Sequence, residues 1–416
     1  MSVSAVLPAF SRTELPNGVR VVTEQIPSVR SVAVGVWVHA GSRDEAPPEN
    51  GITHFIEHMV FKGTSRRRGY QINQRMESVG GYLNAFTAKE HTCFYARSLD
   101  EHLGRALDTV LDLVLHPTLP PREIEKEKDV IVEEIKMYED APEDHIFDHY
   151  ESMLYPEHAL GRPVLGTPDT VRSFEQTDLQ SYLGRHFVPN RLVVSVAGNV
   201  RHEAVVRKVE RLLDGFERDP RPLNRMPANG YTPTDQVLNQ SGQQAHLVVG
   251  TRAYGSSDPR RTVVSVLNTI LGGGMSSRLN QNIREKYGYC YSIYSFANMM
   301  ADTGDLGVYI GTDSGKVDRA RKLIGRELTK LAETPVSARM LDRAKQQLKG
   351  SLMLGLESMS NRMMRLGRVE LTFERYFTLD EVIAEIEAVT SEDMRTVAAE
   401  LFEPARLSSI AFVPSN

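Results

Sequence analysis

The densest chemistry in the chain lies in Gly51-Ile52-Thr53-His54-Phe55-Ile56-Glu57-His58-Met59-Val60-Phe61-Lys62-Gly63-Thr64. Read as a helix, Ile52, Phe55, Ile56, Met59 and Val60 form one apolar stripe, and His54, Glu57 and His58 fall opposite it. Gly63 supplies a C′ cap. His54 and His58 stand one turn apart, so both can reach one ion. Neutral imidazole and carboxylate suit zinc, and a catalytic zinc usually keeps three protein ligands and a water. Glu57, beside the second histidine, could act on that water. The short pattern fits equally well a surface helix whose two histidines are satisfied.

A third ligand must come from elsewhere. Pro121 to Asp140 has helical periodicity, with Ile124, Ile131, Ile135 and Tyr138 as its apolar stripe. Glu127 and Glu134 lie two turns apart along one edge of that stripe. Glu133 points nearly opposite. Glu127 and Glu134 are therefore the carboxylates that could turn inward, although a solvated acidic face is the ordinary reading of such a run.

The elements that must carry these groups read as α+β with mixed sheets. Strand patterns occupy Val19 to Gln25, Ser31 to Ala40, Tyr82 to Ser98 and Arg191 to Ala197, with helices at Gln71 to Val79 and Glu101 to Leu115. Phe216 to Asp235, with Pro220, Pro222, Pro227 and Pro233, reads as a linker. The pattern then restarts. Strands are expected at His246 to Thr251, Tyr291 to Ala297 and Asp305 to Gly311, and helices at Arg261 to Leu271 and Val317 to Glu333. The expected division is 1–215, a linker at 216–235, and 236–416, with the second half a plausible structural duplicate of the first.

Composition narrows the class. The 416 residues are 41% hydrophobic and 25% charged, which is ordinary globular usage. A net charge of −5 leaves no basic footprint for nucleic acid. Cys93 and Cys290 cannot build a disulfide framework and fit a reducing, cytoplasmic setting. No apolar run is long enough to span a membrane. Met1 to Leu15 lacks the pattern of a secretory signal.

The combination of His54-x-x-Glu57-His58 with Glu134 inside Glu127-Lys128-Asp129-Val130-Ile131-Val132-Glu133-Glu134 resembles the M16 (pitrilysin, or inverzincin) metallopeptidases. It is most similar to the short bacterial branch related to the β subunit of mitochondrial processing peptidase. The resemblance extends through Gly80-Gly81-x-x-Asn84-Ala85-x-Thr87, Gly161-Arg162-Pro163-x-x-Gly166-Thr167 and Pro189-Asn190. In the second half it includes Gly272-Gly273-Gly274-Met275-Ser276-Ser277-Arg278-Leu279 and Arg284-Glu285-Lys286.

The resemblance implies two similar domains, each a mostly antiparallel mixed sheet with helices packed on it. It implies that His54, His58 and Glu134 bind Zn2+. Glu57 would be the general base, taking a proton from metal-bound water and passing it to the leaving amine. Glu127 would orient a ligand histidine. Asn84 to Tyr95 would include the edge strand to which peptide substrate adds, with Asn84, Ala85 and Thr87 as its contact residues. Arg284 and Tyr291 match the family's Arg/Tyr pair, which holds the developing oxyanion. Tyr289-Cys290 stands where Leu-Ala is common, so Tyr287 and Tyr289 are rival candidates. His91 reads as a strand residue at the cleft margin, Cys93 as a small hydrophobe, and Arg66 to Arg68 as a solvated loop.

The family's working unit is a four-domain clamshell, and this chain supplies two domains. The resemblance thus implies a zinc endopeptidase acting on unfolded peptides or presequence-like segments as a homodimer, or as a heterodimer with an inactive homologue. The competing expectation is a noncatalytic structural or peptide-binding subunit.

Overall fold

The computed structural model describes residues 9–219 and 221–414. Residues 1–8 of the segment read for a secretory signal, and Pro220 of the expected linker, lie outside the described residues.

The chain opens with β1 (Ala9–Glu14), β2 (Arg20–Gln25) and β3 (Ser31–Val38). Helices α1 (Ile52–Val60) and α2 (Gly69–Glu77) precede the hairpin β4 (Tyr82–Thr87) and β5 (Thr92–Leu99). Then come α3 (Leu103–Leu115), α4 (Pro121–Glu139), α5 (Pro142–Leu154), α6 (Pro168–Ser173) and α7 (Gln176–His186). β6 (Leu192–Gly198) and α8 (His202–Leu212) follow. The later chain holds β7 (Asp235–Gln240), β8 (Ala245–Ala253), α9 (Arg261–Gly272), β9 (Cys290–Met299) and β10 (Gly304–Thr312). It ends with α10 (Val317–Glu333), α11 (Ala338–Gly355), α12 (Met359–Phe373), α13 (Leu379–Ala388), α14 (Ser391–Leu401) and β11 (Ser408–Pro414).

Two compact units result, and each contains one mixed sheet with helices packed on it. The first comprises residues up to Ile135, Pro163–Arg225 and Gly355–Tyr376. The second comprises Lys136–Arg162, Met226–Leu354 and the chain from Phe377 onward. The strands divide at the expected linker. The units do not follow that division throughout, because α5 belongs to the second and α12 to the first.

The first sheet has the order β1-β2-β6-β3-β5-β4, and the second β7-β11-β8-β10-β9. Leaving out β1, each sheet begins with a parallel pair and continues with three antiparallel pairs. β9 thus occupies in the second sheet the edge that β4 occupies in the first.

The alternation read in β3 holds, but both of its faces are buried. Val32, Val34 and Val36 join the main core with α1 and α3. Ala33 and Trp37 join Met363, Leu366 and Leu371 of α12. Each Val, Leu or Met side chain among these contributes about 1.5–3 kcal/mol on burial. Gly367 makes the approach possible: a Cβ there would lie 2.0 Å from Trp37 Nε1. In the second unit α5 plays the corresponding part, with Ile146, Tyr150 and Met153 against Val248, Tyr309 and Phe412.

The single strand expected over Tyr82 to Ser98 is a hairpin. Its turn contains no Gly, Pro or Asn to signal it. The turn is held by the Ala88 N–H donating to His91 O at 2.9 Å, and by Ser42 and Arg43 N–H groups that take the Ala88 and Lys89 carbonyls.

Candidate metal centre

α1 is fixed at its N-terminus before any metal is considered. Gly51 starts it at φ +93°, back to back with Gly166 at φ +80°, where a Cβ on Gly51 would meet Gly166 Cα at 2.7 Å. That close approach explains why both motifs carry glycine there. The buried Glu45 carboxylate accepts the N–H groups of Gly51 and Thr53, each at 2.9 Å, and the Asn50 amide at 3.2 Å. Two N–H groups at the start of the helix are satisfied this way. Burial, against the opposing hydrogen bonds from Thr53 and Gly51, pushes the Glu45 carboxyl up to about 7.

The apolar stripe Ile52, Phe55, Ile56, Met59 and Val60 is fully buried. His54 and His58 lie on the other side with ring centres 4.6 Å apart. Glu134 reaches them from α4. Its Oε1 is 3.9 Å from His54 Nε2, and its Oε2 is 3.5 Å from His58 Nε2. Ligand atoms of these three residues all lie within 4.8 Å of one another, the one such group of three among the described residues. Glu133 is exposed, as read from its position on the helix.

This donor set fits zinc. Nitrogen and oxygen donors at tetrahedral zinc stand ~3.3 Å apart, close to the separations seen here. Burial, then the charge of His58, lowers the His54 pKa to about 3, so this imidazole is neutral as a ligand must be. His58 is anchored differently: its Nδ1 and Glu127 Oε1 are 2.8 Å apart. Burial pulls the His58 pKa down, but the Glu127 hydrogen bond and the charges of Glu134, Glu127 and Glu57 outweigh it and leave it raised. Burial likewise works against the Glu127 charge, yet the hydrogen bonds to His58 and Lys62 hold its carboxyl below the ordinary range. Through Nδ1, Glu127 directs the other nitrogen of His58 toward Glu134.

Glu57 stands beside the three donors and accepts a hydrogen bond from Thr87 Oγ1 at 2.6 Å. Burial raises its pKa against the opposing Thr87 and His58 interactions. Thr87, expected among the substrate contacts, is here bound to the candidate base. It is the last residue of β4. Earlier on that edge strand, the Ala85 N–H donates to Asn84 Oδ1 at 2.9 Å, and Asn84 Nδ2 donates to Tyr82 OH at 2.7 Å.

Other expectations are redistributed. His91 lies in the β4–β5 turn rather than in a strand, its ring 5.3 Å from Trp37. Cys93 is buried in the cluster beneath α12. Arg67 is no free loop charge, since it bridges Asp108 and Asp112 of α3, each at 2.5 Å. In the second unit, Arg284 lies in a π-helical turn, Asn280–Glu285, and its Cζ is 5.7 Å from the Tyr291 ring centre. Among the rivals, Tyr287 sits by Lys286, and Tyr289 by Lys316 and Arg319. Tyr291 is 85% exposed. Sequence reasoning missed Glu45 and Lys62. Glu45 carries no periodic signal. Lys62 was visible one turn beyond His58.

Residues 20–168 match the family profile described as insulinase (peptidase family M16), and residues 173–348 match the one described as peptidase M16 inactive domain. The chain belongs to the M16 peptidase family. A Bacillus subtilis protein named uncharacterized zinc protease YmxG is 42% identical over 393 residues, covering 94% of this chain and 96% of that protein. A Rickettsia felis protein, also named an uncharacterized zinc protease, is 34% identical over 402 residues, covering 96% and 97%. The fold agrees with a solved protease from Helicobacter pylori at a TM-score of 0.91 and 20% identity, over 98% of this chain and 100% of that one. It agrees equally, at a TM-score of 0.91 and 18% identity, with a Pseudomonas fluorescens structure titled as a peptidase M16 inactive domain, over 98% of each chain. In this M16 chain the group His54, His58 and Glu134 lies within the insulinase match. Among the described residues, no helix is long and apolar enough to cross a membrane.

Proposed function

We propose that the chain is a zinc-dependent endopeptidase that hydrolyses unfolded peptides or presequence-like segments. The observation that carries this reading is the convergence of His54, His58 and Glu134 beside a buried, hydrogen-bonded Glu57. His54, His58 and Glu134 hold the metal. Zinc, when bound, supplies a Lewis acid that polarises the scissile carbonyl and makes water a better nucleophile. Glu57 takes the proton of the attacking water and delivers it to the leaving amine. Thr87 keeps the Glu57 carboxylate turned toward the metal donors, and Glu127 keeps His58 in its ligating orientation.

Substrate adds to the free edge of β4. Backbone pairing there gives affinity with little demand on sequence. The Ala85 N–H is tied to the Asn84 side chain in this structure, so an incoming strand must displace that amide. Arg284 and Tyr291 hold the substrate carbonyl as charge develops on its oxygen. The working assembly is a pair of chains, because the family clamshell has four domains. A homodimer suffices, since this chain carries both the donor set and the Arg/Tyr pair; a heterodimer with an inactive homologue is the alternative. Two free cysteines suit a cytoplasmic, reducing compartment.

The match of residues 173–348 to an inactive-domain profile supports a second reading, a noncatalytic peptide-binding subunit. One experiment separates the two. Wild type and Glu57→Gln are incubated with a mixture of unstructured peptides, with and without a chelator, and fragments are identified by mass spectrometry. Cleavage that disappears with the chelator and in Glu57→Gln is the expected result. Intact peptides with zinc-loaded wild type would favour the binding role.

A further inference from the structure

Lys62 follows His58 by one turn, just beyond the end of α1. Its Nζ lies 2.5 Å from Glu127 Oε2, while Glu127 Oε1 lies 2.8 Å from His58 Nδ1. Both oxygens of one carboxylate, on a residue only 3% exposed, are thereby committed. One serves a ligand histidine and the other serves the lysine. Glu127 therefore cannot turn without breaking a contact at each end.

Charge gives Lys62 a second task. Glu57, Glu127 and Glu134 bring three negative charges to the centre. A divalent ion leaves one of them unbalanced; the Glu134 side chain is 43% exposed, but Glu127 is buried, where an unbalanced charge is costly. Lys62 is the cation in direct contact with Glu127. Other lysine–glutamate pairs on α4 differ in kind. Lys126–Glu123 and Lys128–Glu125 are local pairs whose carboxylates are 31% and 71% exposed. Pairs of that sort contribute little. The Glu127 side chain is 5% exposed, and the lysine reaches it from the turn after α1.

We propose that Lys62 is a positioning residue of the metal centre: it locks the Glu127 carboxylate against His58 and closes the charge balance around the divalent ion. This rests on the metal-centre reading above. Removing the ammonium frees one oxygen of Glu127, loosens the orientation of His58 and leaves the centre with excess negative charge. The consequence is weaker zinc binding, whether or not substrate is present.

The test is a zinc-affinity measurement on the full chain, by competition with a chromophoric chelator. Losing a group that supports a metal ligand typically weakens affinity ~10–100-fold, and Lys62→Met is expected near the lower end. Lys62→Arg, which keeps charge and donors, should recover most of the affinity. In a Glu127→Gln background, Lys62→Met should cause no further loss, because the lysine acts through that carboxylate. Unchanged affinity in Lys62→Met, or an equal loss in the Glu127→Gln background, would overturn the proposal. If methionine prevents folding, Lys62→Gln carries the same comparison with a neutral donor in place. A wild type that binds no zinc would overturn the metal centre itself, and the role of Lys62 with it.

Discussion

Near the β4 edge of the first sheet, His54 is 7% exposed and His58 is hydrogen-bonded to Glu127. There Glu57 is held by the last residue of β4. At the corresponding edge of the second sheet, Tyr291 is 85% exposed, and Arg284 stands 5.7 Å from its ring centre. The two sheets share strand order and pairing senses, so the difference does not come from topology. It comes from what precedes the edge strand. In the first unit that includes α1, set ahead of α2 and pinned by Glu45 and by the Gly51–Gly166 contact. In the second it is a π-helical turn tied by the Asn280 amide to the carbonyls of Gly274 and Ile293, at 3.1 and 3.3 Å. One framework thus brings three potential metal donors together near one edge and, at the other, sets a half-buried Arg284 beside an exposed Tyr291.

This contrast predicts that substitutions of the donor residues in the first unit change metal content, whereas those of Arg284 and Tyr291 in the second change rate alone. The largest effect belongs to His58→Ala, which should lose both zinc and detectable hydrolysis, as read by metal analysis and peptide cleavage. Arg284→Ala should retain zinc and lose ~10²–10³ in kcat, the usual cost of one oxyanion donor. Zinc loss in that variant would break the separation between the units.

Thr87→Val should keep zinc and lower kcat roughly tenfold, as expected for removing a hydrogen bond to a charged group. A wild-type rate would show that Glu57 is placed without Thr87.

The smallest effect concerns pH. The Glu45 carboxyl rises from the ordinary 4.5 to about 7 in the folded chain. Its native state therefore holds the proton more tightly than the unfolded state does. The associated stabilisation is complete below 4.5 and is lost as pH rises through 7. Glu45→Gln cannot show that loss. Its Tm relative to wild type should therefore climb between about pH 5 and about pH 8. A flat difference would mean that Glu45 does not titrate in that window.

How much of this was legible in the sequence follows from how local each feature is. The apolar stripe of α1, and the edge of α4 that carries Glu127 and Glu134, are periodic, so their faces could be read directly. The β4–β5 turn was hidden because its stability comes from Ser42 and Arg43 rather than from turn residues of its own. The exchange of α5 and α12 was hidden too. A helix stripe says that a face is buried but not which sheet buries it. The approach of Trp37 on β3 to Gly367 on α12 specifies that partner, and these two are far apart in the chain. The Glu45 and Lys62 contacts are single side-chain events without a period. The pairing of Arg284 with Tyr291 was approached through family resemblance alone, because an exposed edge strand leaves no burial pattern.

The central claim is that α1 and α4 build one zinc site through Glu134. The most direct test is metal analysis of the purified chain beside Glu134→Ala and its neighbour control, Glu133→Ala. One zinc per chain in wild type and in Glu133→Ala, with loss of zinc in Glu134→Ala, is the predicted result. Equal zinc content in Glu134→Ala and wild type, or a large loss in Glu133→Ala, would contradict it.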